Sequence, residues 1–494
     1  MQSSRSVPKP TAGGSRGWRF VLLAQPTVQA VRFLAKLVLA AFLFPEELGQ
    51  PVLALLIVLG ASLIAARGLD EGLVFADRLT RTSWRRLQRV HHTSGAAMSV
   101  LCALIGWVLT MTSDDPELGR MVMAFAPMVW LANTSVLPTA LLVRERAFQR
   151  IFLMDVYAVL AFSITTVALA AAGAGAWSLV GGWYVNAVVT VLASRRFARP
   201  LQPVEEGDPD EAVPILRYGS HLTGAGLAAY LAEQLDSFLV GGVLGPAVLG
   251  VYALARHIAQ WSENFFMSLA ERGLFPELMI RQREERLHDT YEESLRAGFV
   301  FAVPLNVLLS FLAIPLITWL YKPIWEPVGP LLAVLALCAG ARCIEMAPST
   351  ALKAAGRSRT VLVLSAIKLT LLIIVLPLCL EHGARAVALG MLGVRTAGAL
   401  AALIAAGRSP ELVGESRTRL PLAGALACLL WCAGFVPAAR WLTVRLEQQA
   451  SMLLVVLPLV ALLLWGIARL LADRRALLRD WGFCRAKLSR GRKR

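Results

Sequence analysis

The chain has 494 residues, of which 57% are hydrophobic and 17% charged, against roughly 25% charged residues in soluble domains. About 20 residues cross one bilayer, so the roughly 280 hydrophobic residues suffice for about fourteen crossings and leave little for a water-soluble core. This excludes a globular enzyme on a membrane anchor. The net charge of +16, from 49 Lys+Arg over 33 Asp+Glu, does not indicate a nucleic-acid binder. The basic residues form short clusters between apolar runs, where they set membrane orientation, and no basic stripe alternates with stacking aromatics.

Residues 1–19 read as a polar, basic cytoplasmic tail, because the apolar stretch that follows carries Arg32 and Lys36 and runs too long for a cleaved signal peptide. Apolar runs broken at charge clusters predict spans over 20–43, 51–70, 92–112, 121–142, 151–172, 177–194, 220–243, 248–270, 297–318, 329–350, 360–380, 384–406, 420–438 and 452–470. With both termini in the cytoplasm, and with Arg385 and Arg469 at span edges counted with the adjoining loop and tail, 37 Lys/Arg fall in cytoplasmic segments, five in exterior loops and seven within spans. A miscounted span would exchange the sides of everything after it, so this asymmetry predicts an even number of spans with both ends inside.

The longest connection, 195–219, is rich in Pro and acid and reads as a cytoplasmic linker between two bundles. An internal repeat predicts the same division. Phe44 to Gly49 (FPEELG) corresponds to Gly245 to Gly250 (GPAVLG) at an offset of 201, followed by Leu53-Ala54 and Leu254-Ala255. Thr139-Ala140-Leu141 recurs as Thr350-Ala351-Leu352, and Gly175, Ala176, Gly182, Leu192 and Ala193 recur as Gly383, Ala384, Gly390, Leu400 and Ala401. The expected fold is therefore an all-α polytopic membrane protein of about 14 transmembrane helices. Two six-helix lobes, 20–194 and 220–406, are related by a parallel repeat about an axis along the membrane normal. Residues 407–470 add spans 13 and 14, and 471–494 form a basic cytoplasmic tail.

Six of the seven cysteines lie in apolar runs and read as small core residues. Cys428 and Cys432 share a helix face without a nearby His or third thiol, so no metal site is expected there. Five of the six histidines sit at span ends or in loops. His257, beside Arg256 in span 8, reads as a packed donor. Neither a phosphate loop, nor a nucleophile elbow, nor metal-ligand spacing appears, so neither catalysis nor a cofactor is expected.

Charges inside spans are the informative ones. Seven bases (Arg32, Lys36, Arg67, Arg256, Arg342, Lys368, Arg395) and seven acids (Asp70, Glu71, Asp155, Glu233, Asp236, Glu263, Glu345) fall there, Glu71 at the edge of span 2. At about 3 kcal/mol each, seven lipid-facing cations would cost on the order of 20 kcal/mol, so most must face partners or water. Arg342 and Glu345 are i,i+3 and read as a local pair, and Arg67 reaches Asp70 or Glu71. Arg32 and Lys36 share one face of span 1, which contains no acid, and Arg256 has only Glu263 two turns away in its own span. Glu233 and Asp236 share a face of span 7, where they either bind a coupling ion or pair with a cation of span 1 or span 8.

The stretch from Tyr218 to Arg256 contains Tyr218-Gly219-Ser220, Leu235-Asp236-Ser237-Phe238, Gly241-Gly242, Leu244-Gly245-Pro246 and Leu249-Gly250-Val251-Tyr252-Ala253-Leu254-Ala255. With Pro276, Trp325, Pro330 and the Ala355-Gly356-Arg357 turn, it resembles the polysaccharide-transporter branch of the multidrug/oligosaccharidyl-lipid/polysaccharide superfamily, the Wzx-type flippases. The resemblance extends weakly over spans 1 to 12 and does not reach spans 13 and 14.

It implies two lobes around a central cavity, with alternating access carrying a polyprenyl-pyrophosphate-linked oligosaccharide across the bacterial inner membrane for exopolysaccharide, capsule or O-antigen synthesis. The partners it implies are that lipid-linked substrate, membrane lipids, a coupling ion (H+ or Na+) and polysaccharide assembly proteins. Under it, Arg32, Lys36 and Arg256 are expected to hold the pyrophosphate, with Lys368 and Arg395 as further cavity cations. Glu233, Asp236 and Glu263 are the candidates for ion coupling. A multidrug or metabolite exporter of the same superfamily would favour an acidic cavity, against which Arg32 and Lys36 argue. A membrane-embedded polymerase or ligase would carry a large exterior loop, and the exterior loops here are short.

Overall fold

A computed structural model describes residues 14–409 and 412, apart from 77–78, 113–115, 146, 202–204, 209–210, 270–290, 293 and 296–297. The elements are α1 (Gly14–Phe42), α2 (Pro45–Ala66), α3 (Leu69–Phe75), α4 (Arg81–Thr112), α5 (Pro116–Asn133), α6 (Val136–Arg144), α7 (Phe148–Ala171) and α8 (Trp177–Ala198). They continue with α9 (Ala212–Leu239), α10 (Pro246–Leu269), α11 (Val303–Leu320), α12 (Val328–Ala354), α13 (Ser358–Leu380) and α14 (Ala384–Gly407). No strand occurs among the described residues.

Each of the first twelve expected spans overlaps a long helix, with α5 and α6 together forming one. Ten of these helical segments are long and apolar enough to cross a membrane. α1 and α10, of 29 and 24 residues, also reach spanning length. Spans 13 and 14 lie outside the described residues. Large apolar side chains such as Leu104, Trp107, Ile164, Leu362 and Leu378 stay exposed, as expected of a protein whose solvent is lipid.

The chain divides into two compact units. Unit 1 comprises Met1–Trp261, Pro315–Leu331 and Leu369–Met391, and unit 2 comprises Ser262–Ile314, Leu332–Lys368 and Leu392–Arg494.

In unit 1, α4 packs along α5, α7 along α8, α1 along α7, and α2 against α5 and α9. Ala54, Val58, Cys102, Phe125, Val129 and Val180 form its main core. A second core joins Leu69 and Leu73 of α3 to Trp84, Leu87, Leu141 and Ile215. Hydropathy carries span 2 on to residue 70. Instead α2 ends at Ala66, Arg67 and Gly68 turn through the left-handed region at φ 54° and 56°, and Asp70 falls in the short α3. Span 4 breaks at Thr134 and Ser135. The Asn133 carbonyl released there accepts a 2.6 Å bond from His91 Nε2, which supplies the partner that a broken membrane helix lacks.

The linker is fastened to the start of α4. Arg81 N–H donates to the Glu205 carbonyl at 2.8 Å, Thr82 Oγ1 donates to Glu206 at 2.8 Å, and Thr80 Oγ1 donates to Glu211 at 2.8 Å. These carboxylates lie where the helix N-terminus favours negative charge.

The two copies of the Pro-x-x-Leu-Gly motif meet. A Cβ on Gly49 would lie 1.8 Å from the Pro246 carbonyl oxygen, and a Cβ on Gly250 would lie 1.8 Å from that of Pro45. The first turns of α2 and α10 thus cross backbone to backbone, which only small residues permit. Phe44 N–H is capped by Glu47 at 2.9 Å. Gly175 and Gly383, which correspond in the expected repeat, both adopt positive φ, 52° and 83°, ahead of α8 and α14.

In unit 2, α12 and α14 form a core with Tyr291 and Leu295 through Ala347, Ala351, Leu352 and Ala406. Asn306 on α11 donates to the Ala302 carbonyl at 2.8 Å and accepts from Ser262 Oγ at 2.6 Å.

Replacing Gly49 or Gly250 by Ala is expected to destabilise the fold by about 1–3 kcal/mol through overpacking. The thermal unfolding midpoint of detergent-purified protein measures this. Gly224→Ala, inside α9 and with nothing within 4 Å of the added Cβ, should leave the midpoint unchanged or slightly raised.

Candidate functional site: buried charge in two units

Charged side chains of the spans meet others in both units, around α10 with α9 and α1 in unit 1 and around α10, α12, α13 and α14 in unit 2. In unit 1, α10 presents two consecutive polar residues to different helices, since successive residues on a helix point about 100° apart. Arg256 faces α9. Its Nη1 forms a short ion pair with Asp236 Oδ1 and donates to Ser237 Oγ at 2.8 Å, while its Nη2 donates to the Glu233 carbonyl. Asp236 is only 1% exposed and Arg256 8%. The remaining capacity of Asp236 is filled by Ser237 N–H at 2.8 Å and by Tyr252 hydroxyl, donating to Oδ2 at 2.7 Å. Two charges with several hydrogen bonds each are the arrangement that makes a buried pair sustainable. A π-helical turn, Val240–Leu244, follows directly.

His257 faces α1. Its Nδ1 lies 3.4 Å from Lys36 Nζ, and Phe33 stands between it and Trp261, with ring centroids 5.8 Å and 5.6 Å away. One turn before Lys36, Arg32 is exposed, whereas Lys36 and His257 are half-buried. No ion pair to Arg32 or Lys36 occurs among the described residues. Asp155 on α7 is the acid within electrostatic reach of Arg32. Beyond the span, the Tyr321 hydroxyl donates to the Leu37 carbonyl at 3.3 Å, and burial raises its pKa well above the ordinary value, so it stays a donor.

In unit 2, the last turns of α10 carry Glu263, 6% exposed. Its Oε1 accepts from Arg342 Nε of α12 at 2.7 Å, and its Oε2 lies 3.5 Å from Arg395 Nη1 of α14. One turn along α12, Glu345 accepts from Lys368 Nζ of α13 at 2.8 Å. Gly398 lets α14 approach this pair, since a Cβ there would lie 3.3 Å from Lys368 Cδ. An apolar cavity of about 220 Å³ opens between α11, α12 and α14, lined by Val303, Val307, Leu337, Ile344, Leu400 and Leu403.

The site residues expected from the sequence are therefore distributed as follows. Arg32 and Lys36 lie together, with His257 rather than Asp236. Asp236 pairs with the span 8 cation, Arg256. Glu263 serves Arg342 and Arg395 and not Arg256. Lys368 takes Glu345, so the i,i+3 neighbours Arg342 and Glu345 each reach across to another helix instead of to each other. Sequence reasoning did not assign Tyr252 and Ser237. The available signals were the i,i+4 spacing of Tyr252 and Arg256 and the adjacency of Ser237 to Asp236.

Residues 38–330 match the polysaccharide biosynthesis protein family. The succinoglycan biosynthesis transport protein ExoT of Rhizobium meliloti is 25% identical over 68% of this chain and 67% of its own length. The lipopolysaccharide biosynthesis protein WzxC of Escherichia coli is 22% identical over 65% of each chain. Among solved structures, the lipid II flippase MurJ in an inward closed conformation superposes with a TM-score of 0.72, covering 93% of this chain and all of its own at 12% identity. An inward-facing multidrug resistance MATE family transporter of the MOP superfamily gives 0.57, covering 84% of this chain and 99% of its own at 16% identity. At such identities these likenesses speak for the fold alone.

Asp236→Asn leaves the Arg256 guanidinium buried without its counter-charge and should destabilise the protein by about 3–5 kcal/mol. The double variant Asp236→Asn/Arg256→Gln should recover part of that loss in thermal unfolding. Strictly additive effects would show that the pair is not coupled.

With more than half of its length matched to one family, the chain belongs to the polysaccharide biosynthesis protein family, together with the Wzx-type proteins that its sequence resembles.

Proposed function

We propose that this protein is a flippase that moves a polyprenyl-pyrophosphate-linked oligosaccharide across the bacterial inner membrane by alternating access. The names of ExoT, as a transport protein, and of MurJ, as a lipid flippase, support the class of substrate. The placement of Arg32 and Lys36 carries the assignment. Two cations on one face of α1, one exposed and neither in an ion pair among the described residues, suit a bound anion. A doubly charged headgroup could not pass through hydrocarbon without such compensation. Arg256, Lys368 and Arg395 are the further cavity cations, each now engaged with an acid. Asp236 and Glu263, as coupling sites, would exchange their guanidinium partners for H+ or Na+, and Glu233 completes the set of coupling carboxylates.

The reading includes two repeat-related lobes at 20–194 and 220–406, joined by 195–219 and followed by spans 13 and 14, with both termini cytoplasmic. Polysaccharide assembly proteins are its proposed partners.

Arg32→Ala and Lys36→Ala should each stop polymer export at unchanged protein level. Undecaprenyl-pyrophosphate-linked sugar should then accumulate in the cytoplasmic leaflet of a deletion strain carrying the variant. Normal export in both variants would remove the headgroup assignment. For orientation, alkaline phosphatase fused after Arg385 should be active, and after Arg357 inactive.

A further inference from the structure

His257 occupies a position that headgroup binding by Arg32 and Lys36 leaves without a role. An ammonium group has only donors, so the 3.4 Å contact from Lys36 Nζ holds the imidazole with a lone pair on Nδ1 and its proton on Nε2. Nε2 is buried and has no hydrogen-bond partner among the described residues. Among the described residues, the charged groups acting on the ring are Lys36 and Arg32, both on α1 and both cationic. On α7, Asp155 acts on Arg32. On α9, Asp236 is held by Arg256, which also takes the Glu233 carbonyl.

A second proton on this ring must go to Nδ1, the nitrogen that Lys36 covers, and two cations oppose it. An anion that draws the Lys36 ammonium toward itself uncovers Nδ1 and reverses the field at the ring. The imidazolium so formed has two N–H donors, one of them the Nε2–H that has no partner now. The charges agree with this. Arg32 and Lys36, offset by Asp155, leave one positive charge, whereas a diphosphate diester carries two negative ones. One proton on His257 supplies the difference.

We propose that His257 takes up a proton from solution when the diphosphate headgroup seats against Arg32 and Lys36, and returns it when the headgroup leaves, so that substrate and proton occupy the site together. This rests on the assignment of Arg32 and Lys36 to the headgroup. Linkage is reciprocal: if binding the headgroup recruits a proton, lowering the pH tightens the headgroup.

The test uses the full-length protein in nanodiscs and farnesyl-pyrophosphoryl-glucose, a diphosphate diester whose charge is constant between about pH 6 and pH 8, where a histidine titrates. Wild-type affinity should rise as pH falls, by up to about tenfold per pH unit. A pH indicator in weak buffer should record uptake of about one proton per ligand bound. His257→Gln, which keeps a hydrogen-bonding side chain without the titration, should bind with a flat pH profile and no uptake. Lys36→Arg, which keeps the charge and does not titrate in this range, should retain both the slope and the uptake. Persistence of the slope in His257→Gln, its loss in Lys36→Arg, or wild-type binding without uptake overturns the proposal. The last two readouts decide the matter even if His257→Gln does not fold. Failure of the wild type to bind the probe at any pH removes the headgroup assignment itself, and the proposal with it.

Discussion

Hydrocarbon offers a charged group nothing in return for its hydration shell, and the polar architecture of this protein follows from that constraint. Asp236 with Arg256, Glu263 with Arg342 and Arg395, and Glu345 with Lys368 each place an acid and a base from different helices in contact. Such contacts tie helices together laterally in a medium where apolar packing distinguishes poorly between a neighbouring helix and a lipid tail. The same constraint acts on the backbone. The break between α5 and α6 is tolerated because His91 serves the Asn133 carbonyl, and near Pro127 the carbonyls of Ala124 and Ala126 accept from Tyr184 and Ser99 at 2.5 and 2.7 Å. Against that background, Arg32 and Lys36 stand apart, because among the described residues neither is in an ion pair and Asp155 acts on Arg32 at a distance.

The helices are legible in the sequence because hydropathy reports burial in lipid directly, and a run of about 20 apolar residues is hard to accommodate anywhere but in a bilayer. What hydropathy cannot show is where a helix turns at the membrane surface. Asp70 continues the run of span 2, but the left-handed pair Arg67 and Gly68 closes that helix, and Asp70 belongs to α3. The charged pairs are harder to read, for a geometric reason. Spacing along one helix shows which residues share a face, as with Arg32 and Lys36, but not which helix that face meets. Arg342 and Glu345 satisfy the i,i+3 rule, yet each finds a better partner on another helix. His257 is similarly opaque, since its significance lies entirely in Lys36, 221 residues away.

The likeness to MurJ and to a MATE transporter shows how little of the function resides in the helical frame. One arrangement of helices accommodates cargo as different as the names of those proteins suggest, and selectivity must lie in the few polar side chains that face inward. In this chain Arg32 and Lys36 share one face of α1, and under the function proposed above that basic face suits an anionic cargo and not an organic cation.

The contact between Gly49 and Gly250 bears on how such a protein could arise. If the two halves descend from one duplicated segment, the ancestral half-length chain would have paired with itself, and the two glycines would have been one residue touching its own copy across a twofold axis. A single substitution there would have struck both sides of the interface at once. Fusion would then have released other positions to diverge independently, whereas this crossing still admits no side chain from either half, a constraint that the two glycines would share by descent.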